Sequence, residues 1–400
     1  MKVLFELYDS VKPLNNVITS LALRPDRVVF LGDRRLNQVS CTGSPNRWRE
    51  SILRVFEGAL LHCDVEWVSA ETSYEAIYDA LEQNIDLYEG EELIADATGG
   101  SEYMLLALGG ICAKRELSVI AYHPSARAFV QLAGAPFDVE SLTVPRFSIA
   151  QAIALGGGEL LRQEHGRSLV DNPAAMAMIP PMMEYCLDNS GAWYALNRYF
   201  KTIQLHLNSD GLYDAPKINN SADDKSSLVD AALTRLKEIG VLRYLVFERS
   251  KRIIDFSCRE MLPCLYMEGL VLELYVYQSL KTCGAFDDVR MSCRLSWDND
   301  EDDLDTTNEV DAIATSGIGQ FFISCKVGMV DQWDLSQITS VTSRFGNGYA
   351  TPVLVCLRQL HLEPSIYRRA LDMGIEVIGG EDLSPEKFAP RLQRLAARWN

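Results

Sequence analysis

The chemistry in this chain concentrates in NEVDAIATSGIGQFFISCKVG, residues 308–328. A turn at Ser316-Gly317-Ile318-Gly319 separates two runs of strand-forming residues. A hairpin closed there pairs Asp311 with Ser324 and Glu309 with Lys326. Side chains alternate with period two, so Glu309, Asp311, Ser324 and Lys326 share one face. Val310, Ala312, Ala314, Phe321, Ile323 and Cys325 share the other, and all are small or apolar. One face is core, and the other gathers two acids, a hydroxyl and a lysine. Hard divalent cations such as Mg²⁺ or Mn²⁺ favour carboxylate oxygens and acidify a bound water. A lysine orients that water or offsets charge developing on a phosphate. This is the chemistry of metal-assisted phosphodiester hydrolysis. Glu273, in the helix before the first strand, is a further candidate carboxylate. The competing reading is an exposed hairpin face with a cross-strand Glu309–Lys326 pair, which contributes little.

A second cluster is ADATGGSEYMLLALG, residues 95–109. Thr98-Gly99-Gly100-Ser101 lies between a strand and a helix, where glycines leave the backbone open to an anion. The helix beginning near Ser101 aims N–H groups and its positive dipole end at that place. No GK[ST] follows, so this is not a P-loop, and the spacing is not GxGxxG. A structural turn with Ser101 as helix cap accounts for the same residues.

The elements around these clusters set the fold class. Lys2–Tyr8, Arg27–Asp33, Asp64–Ala70, Glu92–Ala97 and Leu117–Tyr122 read as strands. Helical spacing runs over Asn46–Leu61, Ser73–Tyr88 and Ser101–Arg115. Such alternation predicts an α/β domain with a mostly parallel sheet covered on both faces, with ligands beyond the carboxyl ends of its strands. Phe147–His165 reads as helical around Gly156-Gly157-Gly158, and residues 168–262 as mainly helical. Asn208–Ser227 is the linker candidate. Leu228–Ile239 and Val241–Glu248 read as a helix and strand of a winged-helix-like connector. The last third opens with an apolar helix, Glu268–Lys281. A strand follows at Val289–Leu295, then an acidic loop over 298–305, the hairpin, a helix at Leu335–Arg344 and a strand at Pro352–Leu357. The boundaries that follow are 1–146, 147–262 and 263–400.

Composition narrows the function. The 400 residues are 48% hydrophobic and 23% charged, which suits a soluble chain with sizeable cores. Asp plus Glu total 55 against 38 Lys plus Arg, a formal charge of −17. Nucleic acid must therefore be met at a local site rather than across the whole surface. The start lacks a signal-peptide pattern, and no long apolar run predicts a membrane span. The ten cysteines include no CxxC pair, which points to reduced, buried thiols in a cytoplasmic protein. Lys387, Arg391, Arg394 and Arg398 form a basic run that reads as a solvated helix face or as a phosphate contact.

Helix, three strands, helix, strand is an order that resembles the core of the PD-(D/E)xK nuclease superfamily. Asp311 matches its metal-binding aspartate and Lys326 its catalytic lysine. Ser324 stands where that superfamily has an acid, so a hydroxyl replaces one metal ligand. The resemblance implies that Glu309, Glu273 and the backbone carbonyl of Cys325 complete the set. The strand–TGG–Ser–helix turn resembles the ligand motif of CARF domains, sensors of cyclic oligoadenylates in type III CRISPR immunity. MEGLVLELYVYQSLK, residues 267–281, resembles a helix of the same family, and NEVD and ISCK follow in the family's order. Taken together, the chain resembles the CARF–nuclease fusions. That resemblance implies a Rossmann-like CARF domain, a connector and a restriction-endonuclease-like domain. It also implies a homodimer activated allosterically by cyclic tetra-adenylate that cuts DNA or RNA with Mg²⁺ or Mn²⁺. Ligand contacts are then expected from Ser10 and Asn15 in the first loop, from Thr42, and from Thr98, Gly99, Gly100 and Ser101. Glu102 stands where the family carries a lysine. The alternative is a cyclic-oligoadenylate sensor whose nuclease domain is weak or degenerate.

Overall fold

A computed structural model describes residues 1–33, 47–161, 167–217, 225–297, 307–357 and 363–399. The first sheet joins β1 (Lys2–Leu7), β2 (Arg27–Asp33), β3 (Asp64–Ala70), β4 (Glu92–Asp96), β5 (Ser118–His123) and β6 (Ala128–Ala133). Their order is β3-β2-β1-β4-β5-β6. The first five strands run parallel, and β6 returns antiparallel to β5. The central strand β1, KVLFEL, is buried from Val3 to Leu7, as a parallel strand covered on both faces must be. Helices α1 (Asn15–Leu23) and α2 (Arg47–Gly58) cover one face, with Leu14, Val17, Ile18, Val28 and Phe30 in a shared core. Helices α3 (Tyr74–Asp86) and α4 (Glu102–Arg115) cover the other with Ile77, Leu81, Met104 and Leu108. Ser73 and Ser101 cap α3 and α4, each accepting a backbone N–H in the first turn.

The middle of the chain holds α5 (Ile149–Leu155), β7 (Glu159–Leu160), α6 (Arg167–Val170), α7 (Pro173–Met176), α8 (Ile179–Asp188), α9 (Ser190–Thr202) and α10 (Lys225–Ile239). It also forms an antiparallel sheet from β8 (His206–Leu207), β9 (Tyr213–Pro216), β10 (Leu242–Phe247) and β11 (Lys251–Phe256). The stretch expected as a linker thus contains a strand, β9, because Tyr213 packs edge-on against Phe256 of β11. Helix α5 ends at Leu155 rather than running to His165. The chain turns there through the three glycines, and β7 pairs with a strand of the third sheet.

That third sheet has the order β16-β15-β14-β13-β12-β7. Its remaining strands are β12 (Asp288–Ser296), β13 (Thr307–Ser316), β14 (Gly319–Lys326), β15 (Ala350–Cys356) and β16 (Glu376–Gly379). β12, β13 and β14 are antiparallel neighbours, and β14, β15 and β16 are parallel. The helices of this part are α11 (Pro263–Tyr266), α12 (Leu270–Thr282), α13 (Gln332–Phe345), α14 (Pro364–Asp372) and α15 (Pro385–Ala396). α12 and α15 pack on one face through Val276, Leu280, Phe388 and Leu392. α5, α13 and α14 cover the other through Ile153, Leu335, Ile338 and Ala370. No helix among the described residues is long and apolar enough to cross a membrane.

The glycine turn after α5 locks this layer. A Cβ at Gly158 would fall on the Phe345 ring and within 2.9 Å of the Ser296 carbonyl oxygen. Gly158→Ala is therefore expected to destabilise the fold by about 1–3 kcal/mol through overpacking. Urea denaturation should show a lower midpoint at unchanged slope.

Candidate functional site

The hairpin forms in the register read from its sequence. Ala312 stands opposite Ile323 and Ser316 opposite Gly319, so Asp311 meets Ser324 one step further on. The Asp311 carboxylate takes the place of a ladder acceptor: its Oδ2 accepts the backbone N–H of Cys325 at 2.6 Å and the Ser324 hydroxyl at 3.3 Å. Glu309, Asp311, Ser324 and Lys326 line one cleft of about 180 Å³ with Gln337 and Ile338 of α13. The face that carries them is not open to solvent along its length, because Ile313 and Phe322 on it pack beneath α13. Val310 joins that same core rather than the one holding Ala312 and Ile323. β12 carries a left-handed residue, Ser292, at the position opposite Asp311.

Lys326 does not pair with Glu309. Its Nζ lies 2.8 Å from Asp334 in the first turn of α13. Burial lowers the Lys326 ammonium, but Asp334 outweighs it and the net shift is upward. Burial pushes Asp311 above the ordinary carboxylate range, against the pull of the Cys325 amide and Lys326. Glu273, on α12, is outside the cleft lining yet close enough to feel both strand acids. Burial, then repulsion from Asp311 and Glu309, pushes it up to about 8. The Cys325 thiol is a core group, held well above its ordinary value by burial. Among the described residues, no group of three or more His, Cys, Asp or Glu side chains converges as a metal cage. The donor chemistry nonetheless suits a hard cation, since Glu309 and Asp311 line the cleft, Glu273 is near enough to feel both, and Lys326 is already engaged.

The second cleft, of about 400 Å³, lies at the carboxyl ends of β1 and β4, where the strand order reverses direction. Asp9, Ser10, Val11, Lys12 and Asn15 form one wall, and Thr98, Gly99, Gly100, Ser101 and Glu102 the other. Gly100 has φ +97°, and a Cβ there would come within 2.6 Å of the Leu7 Cβ. A Cβ at Gly99 would crowd Asn15 and Asp9 at 3.0 Å. Both glycines are thus demanded by the packing of the two loops. Thr98 points inward: its Oγ1 donates to Asp96 at 2.6 Å and accepts the Tyr122 N–H at 2.8 Å. Asp9 accepts the N–H groups of Val11 and Lys12, both at 2.8 Å, and the Asn15 amide at 2.8 Å. Beneath them Glu6 and Asp96 stand opposite each other in register and fully buried. Burial pushes both up, Asp96 to about 7 against hydrogen bonds from Thr98, and Glu6 with added repulsion from Asp96.

The sequence-predicted residues therefore gather at two places. Ser10, Asn15, Thr98, Gly99, Gly100 and Ser101 meet in one cleft, and Glu309, Asp311, Ser324 and Lys326 in the other. Thr42 and the acidic loop at 298–305 lie outside the described residues. The basic C-terminal run is largely spoken for: Arg391 and Arg398 pair with Glu376, and Lys387 with Glu381. Asp9 and Lys12 belong to the same first loop as Ser10 and Asn15, whereas Asp334 is not among the expected site residues. Asp334 had a local signal, since Asp331-x-x-Asp334 forms a capping box at the start of α13. The nine described cysteines are all free thiols.

No protein-family model and no curated protein sequence matches the chain. Solved structures do. The chain superposes along its whole length on protein VC1899 from Vibrio cholerae, with a TM-score of 0.77 and 17% identity, covering 99% of that chain. It is similar over the same extent to Can2 from Sulfobacillus thermosulfidooxidans in complex with cyclic tetra-adenylate, with a TM-score of 0.64, 16% identity and 99% of that chain covered. At this identity the likeness establishes a shared fold along all 400 residues.

The raised Glu273 carboxyl makes stability depend on pH. The folded state holds its proton to about 8 while an ordinary carboxyl releases it near 4.5. The unfolded chain thus binds fewer protons between those values, and stability falls as pH rises through that window. Urea unfolding without divalent cations should show a loss of roughly 1–3 kcal/mol from pH 5 to pH 8. Glu273→Gln should make that slope shallower, the buried Glu6–Asp96 pair keeping the remainder.

Proposed function

We propose that this chain is a ligand-gated endonuclease of type III CRISPR antiviral defence. A cyclic oligoadenylate, cyclic tetra-adenylate in the first instance, binds the cleft at the ends of β1 and β4. Binding switches on metal-dependent cleavage of DNA or RNA at Asp311 and Lys326. The carrying observation is that one chain holds both clefts in a fold shared, end to end, with a protein solved with cyclic tetra-adenylate.

The residues divide the work as follows. The amides around Gly99, Gly100 and Ser101, at the positive end of α4, receive phosphate oxygens. Ser10 and the exposed Lys12 approach the ligand from the opposite wall, and Lys12 supplies the cation that Glu102 does not. Thr98 and Asn15 hold the walls together instead of reaching outward. A divalent Mg²⁺ or Mn²⁺ would be held by Asp311 with Glu309 and Glu273 and would supply Lewis acidity and an acidified water. Cys325 fixes Asp311 through its amide, and Asp334 holds Lys326 close to the carboxylates.

A second copy of the chain fits the N-terminal half. Along α4, beside the cleft, Tyr103 and Leu106 are 57% and 66% exposed, and Gly109, Gly110 and Ala113 continue the same uncharged face. A two-fold axis along that face would bring two clefts around a two-fold symmetric ring. The second reading is a sensor with a weak nuclease. It is favoured by Ser324, whose hydroxyl donates to Asp311 where an acid would add a metal ligand.

The test is cleavage of labelled single-stranded DNA, supercoiled plasmid and single-stranded RNA with Mg²⁺ or Mn²⁺, with and without cyclic tetra-adenylate. Cutting is expected only with ligand and metal together, and Asp311→Ala should reduce it by about 10²-fold or more without changing the melting temperature greatly. Undiminished cutting by Asp311→Ala removes the assignment of the site. Tight ligand binding with no cutting in any lane selects the sensor reading.

A further inference from the structure

A buried side-chain hydrogen bond ties the N-terminal cleft to the turn before β15. Tyr349, in the turn before β15, donates its hydroxyl to the Asn15 Oδ1 at 2.6 Å. Both residues are buried, at 3% and 5% exposure. Asn15 is the residue that ties the two walls of the N-terminal cleft together: its Nδ2 donates to Asp9 Oδ2 at 2.8 Å and to the Thr98 carbonyl at 3.3 Å. Every polar atom of its amide is thus committed, two contacts to the cleft and one to Tyr349.

On the other side, Tyr349 feeds the nuclease hairpin. Its backbone carbonyl accepts the N–H of Gln320 at 2.9 Å, at the start of β14. Six residues further along the same strand is Lys326, roughly 20 Å away at strand rise. The neighbouring turn residue Gly348 has φ +84°, and a Cβ there would lie 2.6 Å from the Lys12 Cγ. The turn at 348–349 is therefore seated on the ligand loop by a close contact as well as by the hydrogen bond. Tyr349 and Ile318 belong to the same core as Leu14, Val17 and Phe30 of the first domain.

We infer that Tyr349 is a positioning residue that couples occupancy of the N-terminal cleft to the placement of β14, and so of Ser324 and Lys326. This rests on the functional reading above. The physical drive is competition at Asp9. Its carboxylate already occupies the Val11 and Lys12 amides, the donors that a phosphate entering this wall would use. A bound polyanion displaces Asp9 from those amides and repels it. Asp9 is one of the two groups holding the Asn15 Nδ2, so the Asn15 amide resettles and the Tyr349 hydroxyl moves with it. A change in one hydrogen-bond network is thereby passed to a strand about 20 Å long with no ligand contact of its own.

The experiment compares the full-length protein with Tyr349→Phe, which keeps the ring and deletes the hydroxyl. Three readouts are taken: cyclic tetra-adenylate binding by calorimetry, hydrogen exchange of the amides of residues 319–326 with and without ligand, and ligand-dependent cleavage. Expected for the variant are ligand affinity within about threefold of wild type, loss of most of the ligand-induced change in exchange, and about tenfold weaker activation. A merely structural staple would lower the melting temperature but leave the ligand-induced exchange difference intact, and that result overturns the coupling. So does full activation of the variant. A wild type that does not bind cyclic tetra-adenylate overturns the reading of the cleft itself and the coupling with it. If Tyr349→Phe fails to fold, the wild type alone decides: absence of any ligand-induced change in exchange over residues 319–326, with ligand bound, overturns the coupling.

Discussion

Carboxyl groups at the ends of β1 and β4 set the terms for the N-terminal half. Glu6 and Asp96 face each other at neighbouring positions of two parallel strands, with no water-facing surface. Asp9 follows one turn of chain later. A buried acid is tolerated only where donors or a proton answer it. The chain answers with α1, whose buried side includes Asn15, Asn16, Thr19 and Ser20 rather than a purely apolar stripe. Ser20 bonds Glu6, Thr98 bonds Asp96, and Asn15 and Asn16 bracket Asp9. One oxygen of Glu6 has no partner, and burial with repulsion from Asp96 holds this carboxyl well above its ordinary range. Because each of these groups needs its partner, the loops they belong to are held in one arrangement, and the cleft between them is preformed.

The same constraint explains why the domains do not behave as beads on a string. The core under α1 and α2 takes in Phe147, Ile318 and Tyr349 from later in the chain. The core under α12 is continuous with that of α8, α9 and α10. The third sheet is completed by β7, which arrives from the middle of the chain. Packed interiors pass on small displacements because they are dense and have few alternative arrangements. A hydrogen bond buried in such a junction, like that between Tyr349 and Asn15, is positioned to transmit a change, whereas an exposed ion pair is not.

Much of this was readable in the residues. Strands β1, β2, β4 and β5 follow from short apolar runs and β3 from a broken one, DVEWVSA, while the hairpin register follows from a four-residue turn and period-two patterning. The convergence of Glu309, Asp311, Ser324 and Lys326 comes with that register. What was not legible has physical reasons. Helix α1, NNVITSLAL, carries asparagines and β-branched residues with weak helix propensity, and it is helical because the buried acids need its side chains. β9 is a short strand held by pairing to β11, a contact far along the chain. β6 and β16 are edge strands with little pattern of their own. The pairing of Lys326 with Asp334 instead of Glu309 depends on how α13 crosses the sheet, which no local spacing encodes. Nor does any local pattern announce the left-handed Ser292 opposite Asp311, a conformation rare for serine.

The electrostatics of the two clefts run in opposite directions, and that difference bears on gating. At the N-terminal cleft, backbone amides and Lys12 meet a resident carboxylate, so an incoming anion exchanges for Asp9 and need not create a site from nothing. At the hairpin, burial and the neighbouring acids raise the proton affinity of Glu273 and Asp311, while Lys326 is drawn to Asp334. A nucleic-acid phosphate approaching three acids in a chain of net charge −17 meets repulsion, not attraction. A divalent cation reverses that local sign, and release of Lys326 from Asp334 would strengthen the reversal. Both depend on where β14 lies relative to α13. The strand that carries Lys326 is the strand whose first residues are held by Tyr349, so one element both sets the geometry of the hairpin and abuts the turn that rests on the distant cleft.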